Sequence, residues 1–309
     1  MALEHKLDKV RARKWANIRD AWLAHVPDFN SPGSCPDPGL ERLPGLKGIP
    51  IPKVDELPIR REDVEGLRRN ALWEAVFLFH KCAHTNLAAQ RLGERGMRTW
   101  SMFNAYHSAY LGAKGIMELL GVALPNIDGK QVLIDLFPET KPLRKKGKHQ
   151  PVRIDPLYTE FQITRLDGLD QRQLWQAFQR VLRVSSVDVW DEDLGRELKG
   201  LSHEKITPPR NWLLYKAHFW PLNDLVADAT DEMSGLVGTH LDTDEKGFLL
   251  RLCFTVYRLF EQILADLGER SGNVKHEMDH SRCLAAAGLQ DMGCYRGFLE
   301  QIADANPPQ

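Results

Sequence analysis

The chain has 309 residues, 43% of them hydrophobic and 27% charged, with a formal net charge of −1. That length buries a substantial core in one large domain or two small ones. The balanced charge excludes a global attraction to nucleic acid or acidic membranes, so any such attraction must be local.

The chain opens "MALEHKLDKVRARKWANIRD", charged throughout and so unlike a signal peptide. The segment to about Val26 predicts a short helix with Trp15, Ile18 and Trp22 on one side. A stretch dense in Pro and Gly follows to Pro58, which forbids helix and predicts an extended or turning connector. From Arg61 to about Arg95, Leu72, Val76, Phe79, Ala83 and Leu87 recur at helical steps as one apolar stripe, with Gly93 and Gly96 as stops. A second long helix, "MRTWSMFNAYHSAYLGAKGIMELLGV", carries Trp100, Phe103, Tyr110, Ala113, Met117 and Leu120 as its bulky stripe. Ala105, Ser108, Gly112 and Gly115 beside it form a row of small residues that lets another helix approach closely.

"KQVLIDLF" (Lys130–Phe137) and "LYTEFQI" (Leu157–Ile163) read as strands that pair across the loop between them. Helical patterns return over Asp170–Leu182, Thr207–Trp220, Leu222–Met233 and Lys246–Leu267, with a terminal helix near Tyr295–Ala303. The expected fold is mainly α: a helical bundle built on a long antiparallel hairpin, with a minor β-hairpin insertion. Residues 1–60 form an N-terminal helix and connector. Residues 61–235 form the core, with its β insertion near 130–163, and residues 236–309 a C-terminal helical extension. Five cysteines, Cys35, Cys82, Cys253, Cys283 and Cys294, include no CxxC pair and are odd in number, which fits reduced thiols in a cytoplasm. No apolar run nears the roughly 18 residues of a membrane helix. A soluble cytoplasmic protein is the expectation.

"TPPRNWLLYKAHFWP" (Thr207–Pro221) opens on a good N-cap followed by proline, which suits the first helical turn. Arg210 and Asn211 therefore lie where free N–H groups and the positive end of the dipole already attract anions, and an arginine fork there suits a phosphate. Asn211 and His218 share a helix face about two turns apart. The plain alternative is an inward-packing helix, since Trp212, Leu213, Phe219 and Trp220 are bulky and apolar.

The small-residue helix, with Tyr106, Ala109, Tyr110 and Ala113 leading to Leu119-Leu120-Gly121, followed by a later helix opening Arg210-Asn211, resembles the HEPN superfamily. That superfamily comprises small helical bundles of prokaryotic toxin–antitoxin, antiviral-defence and RNA-processing systems. The resemblance implies metal-independent RNA cleavage at a site composed across a homodimer, with no cofactor and with RNA or a partner protein of the same system as ligand. Arg210 would stabilise the charge of the scissile phosphate. His218 would exchange protons with the attacking 2′-hydroxyl or the leaving oxygen, and Asn211 would orient either. Seven residues separate Arg210 from His218, one more than the family's spacing, and Tyr215 stands where the shortest spacing puts the histidine. Tyr215 is no simple substitute as a base, its ordinary pKa being about 10. A catalytically silent module that assembles with a partner protein is the second reading.

The basic loop "KPLRKKGKHQPVR" carries Lys141, Arg144, Lys145, Lys146, Lys148 and Arg153 and no acid, and is the electrostatic candidate for an RNA backbone. Two further motifs invite a metal. His276-Glu277-Met278-Asp279-His280 is an HExxH, with Glu300 at the spacing of a third zinc ligand and Glu277 as base, the mark of a zinc-dependent hydrolase. Its flanks, Lys275 and Ser281-Arg282, are polar, unlike those of such peptidases. "HKCAH" (His80, Cys82, His84) also pairs histidines four apart, inside the first long helix, where half-buried structural histidines are the default.

Overall fold

A computed structural model describes residues 10, 12–25, 56–95, 97–127, 130–138, 141–147, 150–166, 171–206, 211 and 243–290. The chain is mainly α. In order come β1 (Arg13–Lys14), α1 (Trp15–His25), β2 (Glu56–Arg60), α2 (Val64–Glu94) and α3 (Arg98–Leu119). There follow β3 (Val122–Ala123), β4 (Asn126–Ile127), β5 (Lys130–Asp135), β6 (Lys141–Gly147) and β7 (Gln150–Arg165). The last are α4 (Gln171–Val184), β8 (Ser185–Ser186), α5 (Glu192–Gly200), α6 (Thr243–Gly268) and α7 (Gly272–Gln290). The helices expected over Thr207–Trp220, Leu222–Met233 and Tyr295–Ala303 lie outside the described residues. None of the described helices is long and apolar enough to cross a membrane.

Contacts divide the chain into two compact units, Met1–Leu78 with Ala113–Glu204 and Phe79–Gly112 with Lys205–Gln309. In the first, Trp15, Ile18 and Trp22 of α1 are buried as their spacing requires. Trp22 donates its indole N–H to the carbonyl of Leu119 (2.8 Å) and meets the Phe137 ring edge-on at 4.6 Å. Leu119-Leu120-Gly121 is the C-terminus of α3, and Gly121 has φ +81, the left-handed turn that closes many helices. A Cβ there would lie 3.0 Å from Phe137 and 3.1 Å from the Arg13 guanidinium. Arg13 Nη1 donates to the Leu120 carbonyl (3.0 Å) and Nη2 to Asp135 Oδ2 (3.0 Å), so orphan helix-end carbonyls and a carboxylate share one cation. Buried Arg68 donates to the Leu136 carbonyl (2.9 Å) and lies over Phe137, 4.9 Å from the ring centroid. Burial pulls its pKa down.

The sheet runs β2-β7-β5-β3, with β4 on β5 and β6 on β7. β7 is central: residues 158–162 pair with β2, while residues 150–160 pair with β6. Two short strands, β1 and β8, pair in parallel, Arg13 opposite Ser185. α4 buries Leu174, Trp175, Ala177, Phe178, Val181 and Leu182, and Asp191 caps α5 by accepting from the N–H groups of Asp193 and Leu194 (both 3.1 Å).

In the second unit, Ser108 Oγ donates to the Cys82 carbonyl (2.8 Å) and Ser101 Oγ to that of Ala89 (2.6 Å), so these parts of α2 and α3 run antiparallel. Leu249, Leu252, Val256, Leu259, Phe260, Ile263, Leu264 and Leu267 form the buried stripe of α6, at helical spacing. Phe79 stacks on Tyr257 (5.7 Å) and meets Phe260 edge-on (5.2 Å). The small residues of α3 do what small residues do: a Cβ added to Gly112 would lie 2.6 Å from Cγ1 of Val256 and 3.1 Å from Sγ of Cys82. Cys82 and Cys253 are free and buried, and burial pushes their thiols up to about 12 and about 11. They are therefore unreactive thiols.

Candidate functional site

Of the helix expected to carry the RNA site, the structure describes Asn211, helical and half-buried. Arg210, Tyr215 and His218 lie outside the described residues. The described part of the HEPN resemblance is the small-residue helix, whose features have local physical causes. Gly112 permits a close approach and Gly121 a left-handed turn.

The basic segment corrects an expectation. Lys141–Gly147 is β6, and its return past Gln150 is the start of β7, so most of the expected loop is a two-stranded antiparallel ribbon. Lys141 pairs with Glu160, Arg144 with Ile154 and Lys145 with Arg153. Density of Lys and Pro argued for a loop, but Gly147 pairs with Gln150 and the ladder runs on to Lys141 opposite Glu160, so the backbone groups are satisfied by strand pairing that composition does not report. Pro142, which lacks an N–H, sits at a register shift, where a missing ladder bond is tolerated. Charges on an edge strand also discourage further strand pairing. Arg144 is exposed, as are Ile154 and Leu157 (58% and 69%). Lys148 lies outside the described residues.

The two histidine motifs meet each other. His80 of α2 places Nε2 2.9 Å from Oε2 of Glu277 on α7, and its Nδ1 contacts Oγ of Ser281. An ionised carboxylate only accepts, so Nε2 carries the proton and, in the neutral ring, Nδ1 accepts from the Ser281 hydroxyl. The His80 and His280 rings lie 6.1 Å apart. Burial alone would raise the Glu277 carboxyl, but the hydrogen bond and positive field of His80, with His280 and His276 nearby, hold it below its usual range. His280 is lowered by burial first and by His80 next.

Hydroxyl, imidazole and carboxylate stand in the order of a nucleophile relay. Ser281, however, is only 3% exposed. The cluster is thus a polar clamp between α2 and α7. It also engages Glu277, the residue the zinc-hydrolase reading needs free as a base. His276 and His84 are exposed, and Glu300 lies outside the described residues. Among the described residues no group of three or more His, Cys, Asp or Glu is placed to hold a metal ion. The periodicity of α2 marks His80 as a polar residue beside a buried face, but nothing in its spacing names Glu277 as the partner.

In the first unit, a cavity of about 310 Å³ is lined by Arg13, Lys14, Asn17, Asp135, Phe137 and Pro138 among others. Two of its lining residues, Arg13 and Asp135, are the pair already engaged in closing α3. No family model, curated protein or solved structure matches the chain.

Proposed function

We propose that the chain is an HEPN-like, RNA-directed protein of the cytoplasm, a metal-independent endoribonuclease that works as a homodimer in a defence or toxin-like system. The observation that carries the RNA half is the ribbon β6–β7, which concentrates cations on an edge of a sheet in a chain of net charge −1. A ribbon holds these residues at fixed spacing along the backbone, where a loop would have to be ordered on binding. The nuclease half rests on Arg210 and Asn211 in the first turn of their expected helix. Arg210 stabilises the negative charge that builds on the scissile phosphate. His218 takes the proton of the attacking 2′-hydroxyl, and its partner-copy equivalent returns one to the leaving 5′-oxygen. Asn211 orients the phosphate.

The binding half is tested with a 2′-O-methyl RNA, which lacks the attacking hydroxyl and survives. Replacing Lys145 and Lys146 with alanine should weaken binding across sequences and reduce the slope of log affinity against log salt by about 1 per residue. An unchanged slope would remove the ribbon from the RNA site.

A further inference from the structure

The ribbon carries an apolar feature that its cations do not explain. Of the described large hydrophobic residues, Leu157 and Ile154 are the most exposed, at 69% and 58%. Single exposed apolar residues are ordinary. These two, however, lie on the same strand with exposed Pro156 between them. Ile154 stands opposite Arg144 in the ladder, which is also exposed, and directly opposed residues share one face of a sheet. Beyond them the ladder breaks. Leu143 pairs with Asp155 and Pro142 with Thr159, so Pro156, Leu157 and Tyr158 have no opposite on β6. Such a bulge bends a strand and re-aims a side chain. Asp155 braces it, its Oδ1 accepting from the backbone N–H of Leu157 at 3.0 Å in place of a ladder partner. A leucine is thus held out to solvent on a fixed backbone.

We infer that Ile154 and Leu157 form an apolar wedge that enters structured RNA at a base step already loosened by a bulge or loop, while the ribbon's cations hold the flanking phosphates. The inference rests on the RNA reading above and adds the class of RNA, a stem that is interrupted. Charge favours a polyanion: from Lys141 to Ile154 the chain holds six Lys and Arg and no Asp or Glu. The type of apolar residue favours a wedge. Aliphatic side chains have no π-face with which to stack on the bases of a free strand. They gain by filling the gap between two bases, as Leu, Ile and Pro wedges do in duplexes. Opening a step costs least where stacking is already interrupted, which selects a bulged stem over a perfect one. Placement speaks against a lipid surface. The apolar pair lies at the root of the ribbon, where β7 goes on to pair with β2 over residues 158–162. Lys148 and His149, which join β6 to β7, are polar. A ribbon that dips into lipid would carry its apolar residues at that far end. Here cations occupy its length, as suits a polyanion lying along it.

The test sets the full chain against two 2′-O-methyl RNA stems, one with a single bulged base and one fully paired. Each carries 2-aminopurine, a base that brightens as it unstacks, beside the bulge or at the equivalent position. The unmodified protein should bind the bulged stem roughly tenfold tighter than the paired one and brighten its 2-aminopurine. Leu157→Ala should remove most of that preference and of the brightening, with affinity for the paired stem unchanged. Ile154→Ala should remove a smaller part, and Leu157→Met, of similar volume, should keep both. Equal affinity for the two stems, or a preference that survives both alanine changes, would overturn the wedge and leave the RNA reading standing. Equal losses on both stems in Leu157→Ala would assign the leucine to folding or to general contact, and would overturn the wedge as well. Binding to vesicles of anionic phospholipid that Leu157→Ala abolishes, while RNA binding holds, would make the pair a lipid contact and overturn it too. No binding of either stem by the unmodified protein would overturn both the wedge and the RNA reading.

Discussion

Each unit holds two helices or a helix and a strand together with a buried polar group, and the two groups differ in kind. In the first unit, Arg13 joins the end of α3 to Asp135 of β5, the paired side chains being 10% and 9% exposed. In the second, His80 joins α2 to α7 through Glu277 and Ser281, with His80 and Glu277 at 21% and 12%. The guanidinium is charged at every accessible pH and takes carbonyls and a carboxylate at once. Glu277 and the neighbouring His280 both have lowered pKa values, so the second joint is expected to weaken as pH falls.

The largest effect should come from Arg13→Ala, which leaves Asp135 buried with its cation removed and reopens the carbonyls of α3. A loss of about 3–5 kcal/mol is expected from urea unfolding. A loss below about 1 kcal/mol would mean the pair is no more than a surface contact. Gly112→Val comes next in size. Its Cβ would already fall 2.6 Å from Val256, so overpacking of about 1–3 kcal/mol is expected in the same measurement. An unchanged midpoint would show that α3 does not approach α6 as described. Gly121→Ala should cost about 1–2 kcal/mol for its left-handed backbone, and Gly121→Asn less than alanine.

The smallest effect sharpens the comparison most. The pKa of His280 is lowered in the folded protein, so below its ordinary 6.5 the unfolded chain binds more protons and stability declines as pH falls. Glu277 is also lowered, so its contribution is present above its ordinary 4.5 and is lost as pH falls through the folded value. Both signs point the same way: acidification weakens the second unit, first through His280 and then through Glu277. Hydrogen exchange of α7 against pH, beside Glu277→Gln, should show the lower step vanish. Equal acid sensitivity in α1 and α7 would erase the contrast between the units.

Much of the helical frame was legible because burial imposes a period. Leu72, Val76, Phe79 and Ala83 predicted α2 and are buried, and the stripe over Lys246–Leu267 matches α6 closely. The ribbon was not legible. Its residues suit solvent, and the strand shows only in the ladder that Lys141–Gly147 forms with residues 150–160 of β7. Nor could two-residue strands such as β1 and β8 announce themselves, since neither Arg13-Lys14 nor Ser185-Ser186 has a strand pattern. The histidine motifs were legible one at a time: a half-buried structural role was the default for His80, which is half-buried, but its pairing with Glu277, 197 residues on, was not legible. Pairing at that separation leaves no trace in local spacing. In α3 the bulky stripe was visible, but its spacing did not tell which positions face solvent, and Trp100 is exposed.

The most direct measurement is cleavage of mixed RNA (transfer, ribosomal and single-stranded) in EDTA, with the unmodified protein beside Arg210→Ala and His218→Ala. The account predicts cleavage by the unmodified protein, undiminished by the chelator, and its loss in both variants. Equal cleavage by all three, or none by the unmodified protein on any of these RNAs, would contradict it.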